Sequence, residues 1–265
     1  MLDTNPISIL EGIGAYPDTY AVKNTKVSDA DLRAITEASD LQITEVRAPL
    51  SKISFPILGD FLKVHGRNLT RFNLQNCPLS EENLSRLSPL LPNVRVLSMQ
   101  YLHEISSGAF FEFVHSCSRI HELYLSQNRR VNKSLFHKLL GLDRHFSVVS
   151  LDLSHSAPSS NAIDCRISID KLILIGHTFD HTDLPLLEKI SGLRSLHLSL
   201  TRFTASDLGI LIQNPQMQSL QTIRVTEVSK ARLSAIFKEL SPTIRSLNCT
   251  CTMDENSLVL NKVVN

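Results

Sequence analysis

Little in this chain is charged in one direction. Its 27 Lys and Arg stand against 26 Asp and Glu, a net charge of +1. That lacks the long-range positive field that non-specific nucleic-acid binding needs, so no nucleic-acid partner is expected. Glycine is scarce at nine residues in 265, and no Gly-rich phosphate loop, Gly-x-Ser-x-Gly elbow or His-Glu-x-x-His helix is present. Long apolar runs are missing too. Met1 to Tyr20 holds only the short run Ile7 to Leu10 and no basic leader, so neither a secretory signal nor a membrane span is expected, and the chain reads as intracellular, cytoplasmic or nuclear. Five scattered cysteines, an odd number, make a poor disulfide framework and are read as reduced thiols. What is abundant is hydrophobic residues, 42% of the chain, enough for a continuous core.

Those residues recur. A triplet of apolar positions spaced x-x-x-L-x-L runs as Leu69-Phe72-Leu74, Val94-Leu97-Met99, Ile120-Leu123-Leu125, Val148-Leu151-Leu153, Ile169-Leu172-Leu174, Leu193-Leu196-Leu198, Leu220-Ile223-Val225 and Ile244-Leu247-Cys249. Weaker copies precede them at Ile43-Val46-Ala48 and Pro17-Tyr20-Val22. The steps between first positions are 26, 26, 25, 26, 28, 21, 24, 27 and 24 residues, the range of leucine-rich repeats. Within each triplet the last two residues are two apart, the period of a strand with one inward face. Between strands the period changes to three and four, and a small polar residue (Ser28, Ser80, Ser106, Asn132, Thr182, Thr204 or Ser229) stands where a helix N-cap is needed. The expected fold is an α/β leucine-rich-repeat solenoid, a curved horseshoe with parallel strands on the concave wall and helices on the convex wall. A single domain over 1–265 is expected, with about ten repeats in 17–252 and short terminal caps at 1–16 and 253–265. Residues 157–168 read as too polar for a full helix.

The repeats resemble the cysteine-containing leucine-rich repeats of F-box proteins and their relatives, within the wider ribonuclease-inhibitor-like superfamily. Cys117-Ser118-Arg119-Ile120 begins one copy, and Leu123-Tyr124-Leu125-Ser126-Gln127-Asn128 completes its strand and asparagine position. Leu74-Gln75-Asn76-Cys77 supplies the cysteine variant, and Leu79 to Leu84, Val27 to Leu32 and Phe203 to Leu208 repeat the helix start. The resemblance covers roughly Pro17 to Thr252. It implies a protein-binding role, with substrate recognition for a cullin-type ubiquitin ligase as the finer setting. The alternative is a stoichiometric regulator or structural component of a multiprotein assembly. No F-box signature is evident before the first repeats.

Candidate chemistry is thin. Gly176 to Asp183 gathers His177, Asp180, His181 and Asp183, but turn caps explain those residues better than a zinc site, since no third histidine or cysteine follows at ligand spacing. Cys249 sits where leucine stands in other repeats and reads as a small core residue. No enzyme activity, metal, cofactor or small-molecule substrate is expected. The informative positions are those that strand alternation points away from the core. Arg47, Asn73, Tyr124, Asp152, Ile173, His197 and Arg224 lie between the inner leucines, with Arg71 and Glu122 beside them, and these nine are the candidate partner-binding residues. Tyr124 and Ile173 are the sharpest, because the repeat requires no aromatic or branched apolar side chain there.

Overall fold

The structure is a computed structural model, and it describes residues 9–12, 19–23, 27–38, 40–50, 52–154, 165–176, 180–199, 201–226, 229–246 and 249–262. Contacts divide the chain into two compact units, 1–130 and 131–265.

The first unit contains β1 (Leu10–Gly12), β2 (Thr19–Val22), α1 (Asp29–Glu37), β3 (Gln42–Val46), α2 (Phe55–His65), β4 (Arg71–Asn73), α3 (Glu81–Leu87), β5 (Val96–Ser98), α4 (Ser107–Ser116) and β6 (Glu122–Leu125). From β2 to β6 each strand pairs in parallel with the next, while β1 adds an antiparallel edge on β2. The triplets account for this. Phe72, Leu97 and Leu123 are fully buried and stand opposite one another in register, so successive repeats bury one continuous stripe. Helix starts follow the polar residues named above. Ser28 accepts from the Asp31 amide in a full capping box, and Ser80 and Ser106 accept from Asn83 and Ala109. Each cap satisfies an amide that the first helical turn leaves open. Caps also link to neighbours one repeat away, the Ser54 amide donating to Asp29 at 2.8 Å and the Ser106 amide to Glu81 at 2.8 Å.

Asn128 holds the turn after β6. It is 1% exposed; its Nδ2 donates to the carbonyls of Met99 (2.7 Å) and Leu125 (2.8 Å), and its Oδ1 accepts from the Leu102 amide at 2.6 Å. One side chain thus satisfies three backbone groups of two adjacent turns. Cys77 fills the equivalent position after β4. It is 5% exposed, and burial pushes its thiol up to about 12, so it packs as an inert neutral group.

The second unit contains α5 (Lys133–Leu140), β7 (His145–Asp152), β8 (Ser168–Ile175), α6 (Leu184–Leu187), β9 (Ser195–Ser199), α7 (Ala205–Gln213), β10 (Thr222–Thr226), α8 (Lys230–Ser246), β11 (Cys249–Met253) and β12 (Ser257–Lys262). β7 to β10 run in parallel. Asn132 and Thr204 cap α5 and α7 as expected, and the Ser229 hydroxyl accepts from Arg232 at the start of α8. Ahead of α6 a short 3-10 turn, His181–Asp183, is capped by Asp180 rather than Thr182, because the Asp180 carboxylate accepts from both the Thr182 amide and hydroxyl.

Two expectations are corrected here. Phe146, not Val148, is the first inward residue of β7. It stands opposite Ile169, with Val149 opposite Leu172 and Leu151 opposite Leu174. Phe146 and Val149 are buried while Val148 is half-exposed. The anomalous steps of 28 and 21 therefore become 26 and 23. The last triplet is not a parallel strand, since Ile244 lies inside α8 and Cys249 opens β11 of an antiparallel hairpin whose other arm, β12, pairs with β10. Leu247, like Pro17 of the first triplet and residues 157–164 of the polar stretch, lies outside the described residues.

Lys133 and Asp183 form an ion pair at 2.8 Å with side chains 2% and 0% exposed. The Asp183 carboxylate also accepts from the Asp180 amide at 3.0 Å. Two charges so buried are tolerated only because they are matched.

Two substitutions test this packing. Asn128→Ala strands three backbone groups and is expected to cost about 2–4 kcal/mol in chemical denaturation. Lys133→Met leaves a carboxylate buried without its cation and is expected to cost about 3–5 kcal/mol, most of which the Lys133→Met, Asp183→Leu double variant recovers.

Candidate functional site

The strand residues that alternate with the buried triplets form the open face of each unit. In the first unit the register stacks Glu45, Arg71, Val96 and Glu122 in one row and Asn73, Ser98 and Tyr124 in the next, with Arg47 following β3 at the same position. Four of the nine candidates, Arg47, Arg71, Asn73 and Tyr124, line one depression of about 460 Å³, together with Gln75, Ser98 and Gln100 over a floor that includes Phe72 and Val96.

Charge in this depression is shared unequally. Glu45 Oε2 lies 2.6 Å from Arg47 Nε and 3.5 Å from Arg71 Nε, so one carboxylate serves two guanidiniums and the shorter contact goes to Arg47. The hydrogen bond from Arg47 to Glu45, and then the charge of that carboxylate, raise the Arg47 pKa above its ordinary value. Glu11 on β1 adds a longer contact to Arg47 at 3.5 Å and one to Lys23 at 3.7 Å. Exposed pairs of this kind add little to stability, and their weight is in fixing where positive charge stands. Asn73 bridges, its Nδ2 donating to the Arg47 carbonyl (2.8 Å) and its Oδ1 accepting from the Gln75 amide (2.9 Å). The Tyr124 hydroxyl donates to Glu122 at 2.9 Å. Burial first, then Glu122, raises the Tyr124 pKa, and the positive charge of Arg71 works in the opposite direction. Glu122 thus joins the cluster through Tyr124.

In the second unit Ile173, His197 and Arg224 stand opposite one another on β8, β9 and β10. His197 Nε2 is 2.8 Å from the Thr226 hydroxyl. Burial, with Arg224 and Lys171 adding like charge, lowers its pKa. Asp152 leaves the column assigned to it. With β7 in its observed register it faces Ile175, and Ser150, buried to 4% exposure, takes the place opposite Ile173. The Asp152 carboxylate accepts from the Ser154 amide at 3.0 Å and closes a turn.

Glu11 was not legible as a member of the cluster, because β1 lies outside the repeat, and Lys23 joins through its contact with Glu11. Of the possible metal ligands, His177 lies outside the described residues, and Asp180 and Asp183 serve as caps. Among the described residues no group of three or more His, Cys, Asp or Glu is placed to hold a metal, and no helix is long and apolar enough to cross a membrane.

The alternation of strand and helix with parallel pairing between consecutive repeats makes this an α/β leucine-rich-repeat solenoid. No protein-family model matches the chain, and no curated protein sequence matches it. Among solved structures it is similar to an internalin from Listeria monocytogenes at 13% identity and a TM-score of 0.44, over 89% of this chain and 65% of the internalin. It is also similar to a chain of the Rad7 and Elc1 complex of yeast at 14% identity and a TM-score of 0.32, over 80% and 77% of the two chains. A leucine-rich-repeat protein from Leptospira interrogans matches at 14% identity and a TM-score of 0.37, over 74% and 50%. The chain spans just under two thirds of the internalin's length. Likeness at this level says nothing of activity or partner.

The histidines set a pH dependence. Burial is the first cause lowering the pKa of His65 and His137 as well as His197, so the unfolded chain binds these protons more tightly than the folded one. Their effect is absent well above the ordinary histidine value of about 6.5, and stability is lost as pH falls through it. Denaturation midpoints at about pH 7.5 and 5.5 are expected to show the acid sample less stable, with a smaller difference in His197→Gln.

Proposed function

We propose that the chain is a non-enzymatic module that binds a protein partner through its strand face, with the depression among Arg47, Arg71, Asn73 and Tyr124 as the centre of contact. The carrying observation is the company in that depression, an aromatic ring with a tethered hydroxyl beside two arginines that share one carboxylate. Tyrosine and arginine are among the side chains that most often dominate binding energy, since each offers a large contact surface and directional donors. Glu122 supports Tyr124. Ile173, His197 and Arg224 form a second contact row, and Asp152 lies beside it.

Two cellular settings fit such a face. One is substrate recognition for a cullin-type ubiquitin ligase, which rests on the resemblance of the repeats. The other is a stoichiometric component of an assembly unrelated to degradation. Recovery of a cullin adaptor with the chain supports the first, and a stable complex lacking any adaptor supports the second.

Affinity capture tests the surface. Arg71→Glu with Tyr124→Ala is expected to lose the partner held by the wild type, at about 2 kcal/mol or roughly 30-fold for each anchor, with an unchanged melting temperature. Arg224→Glu reads the second row separately. Retention of every partner by both variants overturns the assignment, and so does capture of nucleic acid in place of protein with a steep salt dependence.

A further inference from the structure

Among the described residues β11 has a neighbour on one side only, β12. The direction of its backbone groups follows from two observed bonds. The Asp254 amide donates to the Ser257 carbonyl at 2.9 Å across the hairpin turn, and the Lys262 amide donates to Gln221 at 2.8 Å, away from β11. With the register that sets Thr252 opposite Val259 and Cys251 opposite Leu260, Thr252 exchanges hydrogen bonds with β12, while Cys251 and Met253 point both N–H and C=O outward. Their side chains lie on the same side as buried Leu258 and Leu260, yet Cys251 is half-exposed and Met253 is 40% exposed. The edge thus shows an apolar rim as well as open backbone groups.

Edges are normally guarded by charge, proline or brevity. β1 follows that rule, with three residues and Glu11 at its middle, paired to Lys23 and Arg47. β11 does not. Its sequence Cys-Thr-Cys-Thr-Met has five residues and no charge, and the adjoining Asp254 is engaged by the amides of Asn256 and Ser257 in its own turn.

We infer that β11 pairs with β11 of a second copy of this chain, antiparallel about a twofold axis at Thr252. The strand is self-complementary in that register. Cys251 of each copy faces Met253 of the other, both with outward backbone groups, which gives about four interchain hydrogen bonds. The two Thr252 residues meet on the solvent face as a cross-strand pair of β-branched side chains. The two sulfur-bearing side chains cover each other over the exposed rim of the core. An isologous contact of this kind needs no second surface. Its small size makes the association a weak, transient one.

Sedimentation of the wild type between about 1 and 300 µM is expected to show a monomer converting to a dimer. Thr252→Lys sets two ammonium groups face to face in the dimer at a site that is exposed in the monomer, and is expected to weaken association at least about tenfold. Met253→Pro removes an outward N–H while leaving the bonds to β12 intact, and is expected to do the same. Circular dichroism and the melting temperature are expected to match wild type for at least one of the two. A wild type that stays monomeric throughout overturns the proposal, as does a dimer that a folded variant leaves undiminished.

Discussion

The structure rests on a single geometric demand: every strand must turn the same side inward at the same height as its neighbour. Parallel strands one repeat apart share their backbone hydrogen bonds only in that register, and the period of two then sends alternate side chains to opposite faces. Phe72, Leu97 and Leu123 meet the demand in the first unit, and Leu172, Leu196 and Ile223 in the second. A slip by one residue would bury the Arg71 row and expose the phenylalanine and leucines. The polar character of the open face is therefore a consequence of the buried stripe.

The turns impose the second cost. Where the chain leaves a strand, carbonyls and amides lose their ladder partners inside the protein, and a buried polar group without a partner is costly. Asn128 meets this by serving three groups at once, and Cys77, which lacks such capacity, packs at the equivalent point. The Lys133 and Asp183 pair serves a similar end in the second unit, with one carboxylate holding both an ammonium and the amide of the Asp180 turn.

Much of this was written in the periodicity. The triplets located β4, β5, β6, β8, β9 and β10, and the small polar residues located most of the helix starts, because both signals are local. What failed depends on contacts at a distance. In β7 the alternating pattern offers two frames, Phe146-Val149-Leu151 and Val148-Leu151-Leu153, and only pairing with β8 selects the first. That choice also displaced Asp152 from its column. At the C-terminal end the spacing of Ile244 and Leu247 is three, which a helix satisfies as well as the start of a triplet, and α8 takes Ile244. Periodicity does not distinguish a parallel from an antiparallel neighbour either, so the hairpin of β11 and β12 was invisible as such. The candidate surface was legible as columns. Its clustering was not, because Glu45 chooses between two arginines only in three dimensions.

That choice bears on what the open face can do. Here the two guanidiniums are matched unequally by one carboxylate oxygen, and the distances of 2.6 and 3.5 Å show which one is served closely. Arg47, with Glu11 as a further partner, is held by its own chain. Arg71 has the weaker claim on Glu45 and lines the depression beside Tyr124, whose hydroxyl is turned toward Glu122. In the proposed role, an arginine with one long contact of this kind keeps donor capacity for a partner, and any ordering of it in advance lowers the entropy that binding must overcome. The same repeat that consumes apolar residues in its core thus leaves the Arg71 cation on its open face, beside Tyr124 of the next row.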